Sequence, residues 1–358
     1  MDISDPEIQF NSEGYCNHCE DALERKETQW FPTIEGERKL KEIVDSIKQT
    51  EKNNEYDCIV GLSGGIDSSY MAYKIVELGL RPLVVHVDCG WNSEMAVKNV
   101  ENIVKRLNLD LHTHVVDWQE MKDLQLAYFK ASVANQDVPQ DHAIFAALYS
   151  FAIRNNIRYV FNGSNFATES ILPKAWGYNA LDYKSLKAIH KRFGNRKLKR
   201  YPHVTFFRRY FYFTFVKRMK IVKLLNMIPY NKEEAMKIMK EDLDWQYYGG
   251  KHHESRFTKF FQAYYLPHKF GYDKRRAHLS SLIVSGQISR EEALNEMKKE
   301  IYPNNSHIKD MEYVAKKLGV TMEEFNEIIA LPNKTYRDYP NNEKLFKLGF
   351  QMRDRFFR

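Results

Sequence analysis

With 358 residues, 43% of them hydrophobic and 28% charged, the chain holds material for one main packed domain plus extensions; its 11 prolines and this composition exclude disorder, collagen and a disulfide scaffold. The longest apolar stretch, around Ala143 to Ile153, is too short and too interrupted to cross a bilayer, and the opening MDISDPEIQF lacks the order of a signal peptide, so a soluble cytoplasmic protein is expected. The net charge of +7 is unevenly spread: the stretch from Lys187 to Lys220 carries twelve Lys and Arg and no Asp or Glu, and without it the chain would stand at −5.

In chain order, residues 1–35 read as a polar, Cys-containing leader around Gly14-Tyr15-Cys16-Asn17-His18-Cys19. Leu40, Ile43, Val44 and Ile47 recur at helical spacing and predict a helix over Arg38 to Ile47. Asp57 to Leu62 reads as a short buried strand closed by Gly64-Gly65, after which Ser68 to Leu78 switches to helical periodicity and Gly79 stops it. The pattern repeats as a strand at Leu83 to Val87, a helix near Met95 to Leu107, a strand at Leu111 to Val116, helical material from Trp118 to Asn155, and a strand at Tyr159 to Phe161. Such alternation over residues 36–165 predicts an α/β fold, a doubly wound parallel sheet with helices on both faces. Residues 166–300 turn aromatic, basic and helical with no strand series and are expected to complete the site. The tail, 301–358, reads as helical, and Ser289 with Glu292 and Thr321 with Glu324 predict two capped helix starts on the way to and within it.

The most informative stretch is Ser63-Gly64-Gly65-Ile66-Asp67-Ser68-Ser69, where the first strand turns into its helix. Glycines let backbone N–H groups face an anion, the helix start favours negative charge, and the serines add donors, so phosphate belongs there. The Gly-Lys-Ser/Thr ending of a Walker loop and the spacing of a dinucleotide fingerprint are both missing. Strand ends beside the first crossover are where an open α/β sheet binds its ligand. Val87 and Asp88, with Gly163 at the end of the fourth strand, are therefore expected beside adenine and ribose. Downstream, Gly249-Gly250-Lys251-His252-His253-Glu254-Ser255-Arg256 concentrates charges that are costly to bury unless they face a polyanion or one another. Adjacent histidines on a helix point in different directions, so phosphate or substrate contact is preferred there over metal binding.

The loop resembles the pyrophosphate loop, SGGxDS, of ATP pyrophosphatases of the PP-loop superfamily. Taken with YDCIVGLSGGIDSSY, VHVDCGWNSE, NGSNFATE, YYGGKHHESRFTKF and HLSSLIVSGQISREEAL in the same order, the chain resembles the N-acetyl sugar amidotransferases of surface-polysaccharide biosynthesis. The KHHES segment and the Gly90-Trp91-Asn92 after Asp88 narrow the likeness; the final sixty residues add little to it. The resemblance implies ATP and Mg²⁺, a nucleotide-sugar substrate, and conversion of an acetamido to an acetamidino group in lipopolysaccharide O-antigen biosynthesis. Asp67 and Lys251 are the expected catalytic residues. Asp141, Glu169, His252, His253, Glu254 and Arg256 are candidates for the substrate. No Cys-nucleophile glutaminase signature occurs, so ammonia is expected from a separate glutaminase subunit.

Cys16 and Cys19 match half of the family's zinc-knuckle pattern. Two thiolates do not close a tetrahedral Zn²⁺ site, and an upstream pair, His18 with outside ligands, or a metal-free remnant are the three readings, the first preferred. Cys58 and Cys89 read as small buried hydrophobes. The competing functional reading is a tRNA-modifying ATP pyrophosphatase of thiolation or lysidine type, gripping RNA with the basic stretch; a non-catalytic nucleotide-binding regulator accounts for the loop alone. Phe206, Phe207, Phe211, Phe213 and Phe215 interleave with these cations in a pattern equally suited to a nucleotide-sugar diphosphate or a membrane surface, so nucleic acid is not the expected partner.

Overall fold

The computed structural model describes residues 1–250 and 253–356. Helices α1 (Asn17–Gln29) and α2 (Ile34–Thr50) precede β1 (Cys58–Gly61), α3 (Ile66–Glu77), β2 (Pro82–Asp88), α4 (Glu94–Arg106) and β3 (Asp110–Val115). Then come α5 (Trp118–Ala131), α6 (Val138–Arg154), β4 (Tyr159–Phe161), α7 (Phe166–Glu169), α8 (Tyr183–Phe193), a π-type helix over Arg208–Val216, β5 (Lys220–Val222) and α9 (Lys232–Leu243). The rest is helical: α10 (Arg256–Phe260), α11 (Leu266–Phe270), α12 (Lys274–Val284), α13 (Arg290–Met297), α14 (His307–Leu318), α15 (Met322–Ala330) and α16 (Glu343–Phe356).

The five strands lie in the order β3-β2-β1-β4-β5, and every neighbouring pair is parallel. Strand β5 has no counterpart among the expected strands: it begins at the end of the basic stretch with no turn signal of its own, and exists because Lys220 to Val222 pair with Tyr159 to Phe161. The leader likewise gains α1, which buries Ala22 in a small cluster with Phe166, Trp176, Ala277 and Val284.

Because side chains alternate across a strand, β1 feeds two cores. Ile59 joins Leu83 and Val85 in a cluster with α5 and α6, while Cys58 and Val60 join Val84 in a cluster with α2, α3, α4 and α9. The C-terminal helices add to the first of these: Phe257, Phe260, Phe261, Val314, Leu318 and Phe325 are buried in the same cluster as Phe129 of α5. Both expected capping boxes form, at Ser289 with Glu292 and at Thr321 with Glu324. Among the described residues no helix is long and apolar enough to cross a membrane.

Candidate active site

The chain leaves β1 at the sheet's centre, builds β2 and β3 to one side, then crosses to β4 on the other, which puts a topological switch point between β1 and β4. At that edge a cavity of about 150 Å³ is lined by Ser63 and Ser68 of the loop, Val85 and Val87 of β2, Ile144 and Leu148 of α6, and Gly163 after β4. Its walls are mostly apolar, with hydroxyls and backbone at the loop end.

The loop is set by close contacts. Gly64 has φ +83°, and a Cβ there would lie 2.4 Å from the carbonyl oxygen of Ala96, so α4 leaves room for glycine alone. Its own carbonyl accepts from Trp245 Nε1 at 2.9 Å and Asn99 Nδ2 at 3.4 Å. The N–H groups that face an anion in such a loop are capped by hydroxyls: Gly65 donates to Ser63 Oγ, Ile66 to Tyr248 Oη and Ser63 to Ser68 Oγ, at 3.2 to 3.3 Å. Ser69 is fully buried in the first turn of α3, and its Oγ has no hydrogen-bond partner. The loop with its apolar cavity suits an adenine nucleotide.

Asp67, in the first turn of α3, takes a short hydrogen bond on Oδ1 from the phenol of Tyr230. Burial first, and the Asp67 carboxylate second, push the Tyr230 phenol well above its ordinary range, so it is a donor. Glu169, which also raises Tyr230, belongs to the same neighbourhood. Asp88 accepts from Gly90 N–H at 2.7 Å and from Asn92 at 3.4 Å. Asn92 also meets His86 Nε2 at 3.1 Å, and His86 Nδ1 donates to Leu62 O at 2.8 Å, tying the β2 end to the loop's approach.

The two motifs that narrowed the resemblance meet in space. Asn92 and Ser255 form an antiparallel bridge, with Ser93 N–H on Glu254 O at 2.8 Å and Arg256 N–H on Trp91 O at 3.1 Å. Glu254 reaches the loop, since a Cβ on Gly65 would lie 3.0 Å from its Oε1 and 3.3 Å from Tyr248 Oη. Arg256 turns outward to Asp310 of α14 at 2.6 Å and over the Tyr313 ring at 4.0 Å. Asp141 sits one side of α6 near Cys89 and Tyr201, two groups whose ionisation it opposes. His253 packs over Gly250. Lys251 and His252 lie outside the described residues. Gly163 approaches Ser68, whose N and Cα would be 3.4 Å from an added Cβ.

Sequence reasoning passed over Tyr230, Trp245, Asn99 and Lys317. Lys317 of α14 donates to the Gly90 carbonyl and lies 4.9 Å from the Trp91 and Trp118 rings, clamping the segment after Asp88. Tyr248 stood inside a quoted motif; the others carry no local signal.

The Cys16 and Cys19 sulfurs are 3.4 Å apart, and their hydrogen bond pulls Cys16 down to about 5 while pushing Cys19 up. His18 is turned to Asp5, and among the described residues no group of three His, Cys, Asp or Glu gathers as a metal site, so Zn²⁺ is not shown. Cys58 and Cys89 are buried, and burial raises both thiols.

A parallel five-stranded sheet whose first strand feeds a Ser-Gly-Gly-x-Asp-Ser loop at its switch point, followed by a helical C-terminal region, is a PP-loop-type α/β fold. Residues 39–204 match the family model described as NAD synthase, and residues 254–353 match that described as LPS biosynthesis protein WbpG-like, C-terminal domain. Together the two matches fit a lipopolysaccharide-biosynthesis amidotransferase of the PP-loop superfamily. No curated protein matches the chain. Among solved structures, the NH3-dependent NAD synthetase from Campylobacter jejuni is 22% identical, covering 43% of this chain and 72% of its own, with a TM-score of 0.31. The NMN synthetase from Francisella tularensis is 15% identical, covering 80% of this chain and 96% of its own, with a TM-score of 0.39.

Proposed function

We propose that the chain is an ATP-dependent amidotransferase that turns the N-acetyl group of a nucleotide-activated sugar into an acetamidino group. The observation that carries this reading is the Asn92 to Ser255 bridge, which joins the WbpG-like segment to the loop-bearing sheet edge and brings Glu254 to Gly65.

An amide carbon resists ammonia, but its oxygen attacks the α-phosphorus of ATP if pyrophosphate can leave. The new O–P bond forms as the α–β bridge breaks; ammonia then adds to the carbon, loses a proton, and AMP departs with the former carbonyl oxygen. The loop N–H groups and the hydroxyls of Ser63, Ser68 and Ser69 hold the β and γ phosphates, while Val87, Asp88 and Gly163 border adenine and ribose. Mg²⁺, when bound, neutralises the phosphates, and Asp67 is the carboxylate that would hold it. Lys251 adds positive charge as pyrophosphate leaves, and Asp141, Glu169, His252, His253 and Glu254 orient the sugar. Ammonia comes from a separate glutaminase.

The test is an incubation with candidate nucleotide sugars, ATP and ammonium, read by mass. AMP, pyrophosphate and amidine in equal amounts are expected, with ammonium accepted and glutamine refused until a glutaminase is added. ADP with orthophosphate, or glutamine use by the purified chain, overturns the reading.

A further inference from the structure

The π-type helix over Arg208–Val216 buries Phe213 against Tyr149 and turns a file of aromatics outward. Phe207, Phe211 and Phe215 are 62%, 48% and 62% exposed, and their rings follow one another at 4.8 and 5.6 Å. Phe346 of α16 packs on Phe206 and Tyr210 at 5.2 and 5.6 Å, which sets α16 alongside, with Leu345 and Leu348 exposed. Exposed large apolar side chains gathered in this way mark an interaction surface.

Its charge says what covers it. Arg208, Lys217 and Arg218 flank the file and Lys344 lies in the first turn of α16, all exposed, and the basic stretch 187–220 contains no acidic residue of its own. Among the described residues its one Lys or Arg ion pair is Arg200 with Asp117, at 3.6 Å. Stacked rings 4.8 Å apart leave no slot for a base between them. Apolar side chains ringed by unpaired cations suit the boundary of a bilayer with anionic headgroups.

We propose that this face, the π-type helix with α16 beside it, docks the protein on an anionic phospholipid surface without crossing it. The rings enter the acyl boundary and the cations lie among the phosphates. The proposal is independent of the catalytic reading, so its failure leaves that reading standing.

The test is co-sedimentation of the full chain with vesicles of phosphatidylcholine alone and of phosphatidylcholine with phosphatidylglycerol in equal parts. Binding to the anionic vesicles should be about tenfold or more the stronger and should fall as salt is raised. Since each cation near such a surface is worth roughly fivefold, Lys217→Gln with Arg218→Gln should weaken binding about twenty-five-fold. The triple change Phe207→Ser, Phe211→Ser, Phe215→Ser should weaken it about tenfold or more. All five positions but none of the core are altered, and circular dichroism confirms folding; the salt dependence of the unaltered chain serves if a variant does not fold. Equal binding to both vesicles, binding to neither, or self-association that the triple change abolishes without any vesicle binding overturns the proposal.

Discussion

Tyr230 donates its phenolic proton to Asp67, across 163 positions of sequence, so the carboxylate of the loop is aimed by the segment that leads into α9. A hydrogen bond to an ionised carboxylate is worth roughly 1.5–3 kcal/mol, part of it felt at the reacting phosphate. Tyr230→Phe is therefore expected to lower kcat about tenfold and the thermal midpoint by a few degrees, with the KM for ATP changed little. Asp67→Asn should abolish most turnover in a folded protein. Unaltered kcat in Tyr230→Phe would remove the phenol from the machinery.

Gly64 faces a stricter limit, with a positive φ and the Ala96 carbonyl where a side chain would begin. Gly64→Ala should cost about 1–3 kcal/mol of stability and displace the loop, abolishing ATP binding by calorimetry. Gly271→Ala is the control: φ is +74° but nothing lies within 4 Å of an added Cβ, so stability alone should fall. ATP binding retained by Gly64→Ala would show that the loop does not hold phosphate.

Lys251 is expected to act on the departing pyrophosphate. Losing one such charge removes on the order of 2–4 kcal/mol of transition-state stabilisation, so Lys251→Met should lower the rate roughly 10²- to 10³-fold, with ATP affinity changed less. Near-normal turnover in this variant would sink the assignment.

Lys317 tests the coupling of the C-terminal helices to the site. It donates to Gly90 O and lies over Trp91 and Trp118, so Lys317→Met should cost about 1–3 kcal/mol and speed hydrogen exchange in α14 and in the segment after Asp88. Exchange unchanged in both segments would show that the clamp carries no stability.

What was legible in the sequence was local. Asp57 to Leu62 showed itself as an apolar run between turn signals, and Ser289 and Thr321 as caps whose partners stand three residues on. The strand–turn–helix of the loop could be read because the residues that build it are consecutive. Tyr230 on Asp67, Trp245 on Gly64 and Asn92 on Ser255 are pairings between distant segments, and nothing in the spacing of either partner records the other. The final sixty residues added little to the resemblance, yet α14 carries Asp310 and Lys317, which hold Arg256 and Gly90; the WbpG-like match runs through them.

His142 gives the protein a pH dependence whose sign follows from its bonds. Fully buried in α6, it donates from Nδ1 to Ala180 O at 2.8 Å, which leaves Nε2 bare to accept Val204 N–H at 3.1 Å. A proton on Nε2 would break the second bond, and burial above all lowers the group from 6.5 to about 4. The unfolded chain thus takes a proton near 6.5 that the folded one refuses until about 4, so the stabilisation is full above 6.5 and lost as pH falls through this window. Its size is roughly 3 kcal/mol. The thermal midpoint of the unaltered protein should drop across the window more steeply than that of His142→Gln, which takes no proton. The part of the basic stretch around Val204 should loosen with it, seen as faster hydrogen exchange there. Parallel slopes in the two proteins would show that His142 is not the titrating group.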